Sequence, residues 1–84
     1  MSEKLTLFPV PTKDELSLQY MSASNETVVV AIYNSIGAKQ YVQNWKVEAQ
    51  INSLKLTLDG FSSGIYYLVL HTGERVIAKQ FIVD

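Results

Sequence analysis

One histidine, no cysteine, eight Asp and Glu side chains and four glycines are what this 84-residue chain offers to chemistry. His71 is the only side chain that titrates near neutrality without perturbation, and general acid or base catalysis needs a group tuned and positioned by its surroundings. His71 falls near the end of an apolar run, where an ordinary surface strand residue sits. Asp14 and Glu15 are adjacent, so on a strand they point to opposite faces and cannot share a substrate. The absence of cysteine removes disulfides, thiolate zinc sites and cysteine nucleophiles together. A lone histidine with scattered acids matches neither zinc nor calcium-loop spacing. The single glycines of "SIGA" and "TGER" do not make a phosphate cradle, and "NET" at 25–27 matches a glycosylation acceptor pattern that is common by chance. The expectation is a protein that is not an enzyme and needs neither cofactor nor metal.

Aromatic side chains offer a second kind of chemistry. Trp45 and Tyr41 are four residues apart and share a face if the segment is a strand. Turned outward they would form a platform for stacking a sugar ring, as in a carbohydrate-binding or adhesion module. Turned inward they would supply much of a small core's apolar area, the stronger expectation of the two. Seven Lys and Arg against eight Asp and Glu give a net charge of -1, so the electrostatic footprint of a nucleic-acid or anionic-membrane binder is missing. The longest apolar runs, 28–33 and 65–70, fall far below the roughly 20 residues of a spanning helix. No signal-peptide pattern follows Met1, and the polar start "MSEK" reads as a domain edge, so membrane insertion is not expected.

The elements that must hold these residues are strands. Hydrophobic residues make up 48% of the chain and charged ones 18%, less charge than the roughly 25% of an average soluble domain. Alternating or β-branched runs fall at 4–8, 15–21, 27–33, 39–47, 51–58, 64–72 and 76–83, separated by "PVPTKD", "SASNE", "NSIGA", "EAQ", "DGFSS" and "TGER", which carry the residues turns require. Starts spaced by about twelve residues indicate a β-sandwich or barrel. Leu16, Leu18 and Tyr20 form one buried set, and Leu54, Leu56 and Leu58 another. "VVVAIY" and "IYYLVL" are apolar on both faces and should be central strands, whereas the diluted "KQYVQNWK" belongs at or near an edge. Seven short strands around one core, without a cysteine staple, describe a single all-β domain: a seven-stranded immunoglobulin-like antiparallel β-sandwich. In "LDGFSSGIY" the Tyr66 ring should be core, with its hydroxyl turned back onto the preceding corner.

The order of motifs is more specific than any one of them. "LFPVPTKDELSL", then "VVVAIYNSIG", then "INSLKLTLDGFSSGIYYLVLHTGERVIAKQFI" resembles, over about residues 5 to 82, the type A C-terminal sorting domains of cargo proteins exported by the type IX (Por) secretion system of Bacteroidota. Phe8, Pro9 and Pro11 match an apolar residue before paired prolines. Ile32, Asn34, Ile36 and Gly37 match a strand ending in Asn near an apolar-Gly pair. Asn52, Leu54 and Leu56 match an alternating strand opened by Asn, and Leu58, Phe61, Gly64, Ile65 and Tyr66 match the Gly-apolar-Tyr motif after a gap. Lys79, Phe81 and Ile82 match the lysine-bearing terminal strand. Departures fall at Val10, usually Asn; Ala38, often Lys; Gln40, usually apolar; Gln50, often Gly; and at the acidic end "IVD".

The resemblance implies a secretion signal without catalysis. Such a module, here residues 1–84 with a core at about 4–83, follows a larger fused cargo that enters the periplasm by its own signal peptide. The translocon recognises the folded module and carries the cargo across the outer membrane. A sortase-like surface peptidase then cuts upstream of the module, here before Met1, and leaves the cargo on the cell surface or released. Family resemblance also implies that the terminal strand is read by the machinery. Gly73, Glu74, Arg75, Lys79, Phe81 and Ile82 are therefore the expected recognition residues, with Pro9, Pro11, Asn34, Gly37, Gly64 and Tyr66 as structural motif positions. A terminal strand can also present backbone groups to a partner by strand addition.

Overall fold

Leu16, Leu18 and Tyr20 point inward from β2 (Glu15–Ser22), while Glu15, Gln19 and Met21 are exposed, so period-two alternation sets the strand's buried face. The computed structural model describes residues 4–84, and among them seven strands form and no helix. The others are β1 (Leu5–Phe8), β3 (Glu26–Asn34), β4 (Lys39–Val47), β5 (Gln50–Thr57), β6 (Gly64–His71) and β7 (Val76–Val83). They make two antiparallel sheets, β1-β2-β5 and β4-β3-β6-β7. β3 and β6 are central and β4 is an edge, as their composition predicts. Residues from both sheets, among them Leu18, Leu56, Ile32, Leu68 and Phe81, form one shared core.

The double proline of "LFPVPTKD" marks where the chain changes sheets. β1 pairs with β2 and stops at Phe8, and Pro9 and Pro11 lack the donor needed to continue the ladder. Both of their peptide bonds are cis. Thr12 then forms a parallel bridge with Val83, in the other sheet. Its N–H donates to the Ile82 carbonyl at 2.8 Å, and the Asp84 N–H donates to the Thr12 carbonyl at 2.8 Å. Thr12 is 2% exposed, and its hydroxyl donates to the Glu15 carbonyl. The first and last strands are thus tied together where sequence reading saw only a strand break.

Asparagine side chains hold two of the turns. Asn34 Oδ1 accepts from the N–H groups of Ile36 (3.1 Å) and Ala38 (2.9 Å), and Gly37 takes φ 90° to close that hairpin. Asn52 Oδ1 accepts from the Glu48 N–H at 2.9 Å, and its amide donates to the Glu48 carbonyl at 2.8 Å. This clamp shortens the expected "EAQ" loop, because β5 already starts at Gln50, paired with Ser22. Gln50 sits at φ 87°, in the left-handed region. A β-carbon is disfavoured there by about 1–2 kcal/mol, partly offset by the entropy that glycine loses. Gln50→Gly should therefore raise the unfolding free energy by about 0.5–1 kcal/mol in urea denaturation; an unchanged or lower midpoint would show that the clamp carries no strain.

Candidate functional site

Over most of its length β7 is held along one side. It pairs with β6 from Val76 to Val83, and it is the last strand of its sheet. The N–H and C=O of a strand residue point to one side, and those of its neighbours to the other. The Ile82 carbonyl and Asp84 N–H point away from β6, to Thr12. Gln80 and Ala78 share that parity, so their backbone groups also face outward along the edge. Beyond the Thr12 bridge, no strand among the described residues pairs with this edge. The result is a short edge open at 76–80 and closed at 82–84.

Side chains of β7 divide by face. Ile77, Phe81 and Val83 pack with the core, and Lys79 is half-buried on the same face, opposite Leu68. An inward-facing charge on an edge strand opposes indiscriminate sheet extension. Phe81 is fully buried and stacks on Tyr66, ring centroids 5.7 Å apart, so it supports the strand from within and offers no surface to a partner. Ile82, by contrast, is 39% exposed.

Gly73, Glu74 and Arg75 form the exposed β6–β7 hairpin. The Thr72 N–H donates to the Arg75 carbonyl at 2.9 Å, and the Thr72 hydroxyl oxygen accepts from the N–H groups of Glu74 and Arg75 at 3.1 and 3.0 Å. A cleft of about 340 Å³ lies between this hairpin, Lys4, Tyr20 and Glu26. Burial holds the Tyr20 hydroxyl above the usual tyrosine range; Glu26 adds to the shift and Arg75 opposes it. From the hairpin to Ile82 is about 20 Å of strand at 3.3 Å per residue. The expected recognition residues are therefore joined by one strand and do not converge on a pocket.

The motif residues around this strand have structural work to do. Pro9 and Pro11 lead into Thr12, which bridges to β7, and Gly64 opens β6 at φ 153°, outside the range side-chain-bearing residues favour. As expected, the Tyr66 ring is buried and its hydroxyl donates to the Ser62 carbonyl at 2.8 Å. Tyr66→Phe should cost about 1–2 kcal/mol by leaving that carbonyl without its partner; an unchanged urea midpoint would refute the assignment. Thr12 is the important residue that sequence reading missed. A small polar residue just after a donor-free stretch was its only trace.

The aromatic platform is not formed. Trp45 packs in the core beside Tyr20, ring centroids 6.4 Å apart, and half-buried Tyr41 packs against the core and donates its hydroxyl to Gln43. His71 is exposed. Among the described residues, no three His, Asp or Glu side chains gather as metal ligands, and no helix is long and apolar enough to cross a membrane. A family model described as a secretion system C-terminal sorting domain matches residues 6–84. No curated protein matches the chain.

Proposed function

The chain belongs to the type IX secretion C-terminal sorting domains, and from that membership we propose that it is a non-catalytic address label, read as a folded unit through the open edge of β7. The observation that carries this reading is the edge itself: outward-facing backbone groups at Ala78 and Gln80, beside the exposed hairpin at Gly73, Glu74 and Arg75. A machinery component adds a strand there, backbone hydrogen bonds giving affinity and side-chain contacts giving selection. Lys79 and Ile82 supply the side-chain contacts along the strand, and Phe81 keeps the strand in place.

Membership in this family implies export toward the outer membrane and the cell surface or extracellular space, with cargo fused upstream. The cargo crosses the periplasm before the translocon engages residues 1–84 as one domain, and a sortase-like peptidase removes the domain afterwards. The fold is of the immunoglobulin type. The pairing of a β1-β2-β5 sheet with a β4-β3-β6-β7 sheet, and the tyrosine corner at Tyr66, support that assignment.

The test is a reporter carrying an N-terminal signal peptide and residues 1–84 at its C-terminus, expressed in a bacterium with this secretion system. The reporter should reach the cell surface or the medium, while the same reporter without residues 1–84 stays in the periplasm. Periplasmic retention of both forms would overturn the reading.

A further inference from the structure

The two sheets differ in the middle of their outer faces. On the three-stranded sheet, Glu15, Gln19, Ser53, Lys55 and Thr57 make the middle of the face polar, with exposed Phe8 toward one end and the exposed Met21–Ile51 pair at the other. On the four-stranded sheet the registered rows are mostly apolar. One row across all four strands is Val42, Ala31, Val69 and Ala78, and the next is Lys39, Tyr33, Tyr67 and Gln80. Ile65 and Ile82 extend the patch at one end; at the other, Val29 and Val76 share their row with Asn44 and His71. Val42 is 51% exposed, Ile65 44%, Tyr67 39%, Val76 59% and Ile82 39%. No strand position on this face carries a carboxylate; its charges are Lys39 and Lys46, both on edge strand β4.

We propose that this face pairs with the same face of a second copy of the chain. Four strands of eight or nine residues cover about 500 Å² at roughly 3.3 Å rise and 4.8 Å spacing. This is the whole face, Lys39, Lys46, Asn44, His71 and Gln80 included, so its apolar part falls within the range of about 300–600 Å² for the largest apolar patch on an ordinary monomer. Two copies would bury about 1,000 Å² in total, the lower bound for a specific interface, so the dimer is weak and concentration-dependent.

The charges choose between the two-fold arrangements. A face-to-face two-fold axis perpendicular to the strands lays β4 on β4 and brings Lys39 and Lys46 of one copy toward those of the other. An axis along the strands lays β4 over β7 of the second copy, whose outward residues Val76, Ala78, Gln80 and Ile82 are uncharged. β3 then lies over β6, and Lys39 comes level with Gln80. The second arrangement covers the apolar rows without opposing like charges, and a two-fold interface of this kind is self-complementary and closed.

Sedimentation equilibrium of the 84-residue chain, from micromolar to millimolar concentration, tests the proposal. A monomer–dimer equilibrium is expected. Tyr67→Glu and Ile65→Glu, each placing a charge on central strand β6, should weaken association about tenfold or more, whereas Thr57→Glu on the opposite sheet should leave it unchanged. Urea midpoints confirm that each variant is folded, and the two β6 variants back one another. A monomer throughout the range overturns the proposal. Association that survives both β6 substitutions also overturns it, because pairing through an edge strand would not depend on β6 side chains. Association lost equally with Thr57→Glu would do the same.

Discussion

A proline at position 80 should stop export of an attached reporter while leaving the domain folded. The Gln80 N–H has the same parity as the Asp84 N–H, which points away from β6 to Thr12. Gln80→Pro therefore removes an edge donor without taking a hydrogen bond from the β6–β7 ladder. Proline is tolerated on an edge strand where its nitrogen faces outward, and its ring blocks a strand that tries to pair there. The urea midpoint of the purified variant should stay near that of the parent, and the reporter should accumulate in the periplasm. Deleting residues 79–84 looks like the simpler experiment, yet it would remove Phe81 and Val83 from the core and the bridge at Thr12. A lost fold and a lost signal would then look alike. Export of Gln80→Pro at the parental level would rule out strand addition at β7 and shift recognition to the hairpin at Gly73, Glu74 and Arg75.

Strand positions were legible because alternation is a local property: a strand with one wet face must place Leu16, Leu18 and Tyr20 together, whatever its partners. Central placement of β3 and β6 was legible from apolarity on both faces. That same apolarity also implies something the placement does not account for. In a two-layer structure only one face of each sheet turns to the core, so the second face, with Val29, Val69 and Tyr67, stays at the surface. The crossing of the chain between sheets at Thr12 was not legible, since paired prolines say where a ladder stops and nothing of where the chain goes. Its partner lies in the last strand, at the other end of the sequence. Strain at Gln50 left one trace, as the position where the resembling family often has glycine. The candidate site was half legible. Terminal-strand residues were named from the resemblance, but an open edge belongs to the backbone, and no side chain marks which groups remain for a partner.

Phe81→Ala should be the most destabilising single change in the terminal strand. Its ring is fully buried and stacks on Tyr66, which lies against Phe61 at 5.2 Å between ring centroids and holds the Ser62 corner. Truncating a buried phenylalanine costs about 3–5 kcal/mol. A domain of this size has about 4–13 kcal/mol in all, so a large share of its stability rests on one side chain. β7 feels the loss most, because it is paired on one side and depends on Phe81 and Val83 for its place against the core. Urea denaturation should show the loss directly. If the machinery reads a folded domain, reporter export should fall with the folded fraction and recover in part when Gln50→Gly is added. The export defect of Gln80→Pro should not recover with that addition, since there the fold is intact and the edge is what has been lost. Full export of Phe81→Ala, despite a confirmed loss of stability at the growth temperature large enough to unfold most of the domain, would mean that the signal is read from extended chain. The edge of β7 would then matter only after the domain has engaged its partner.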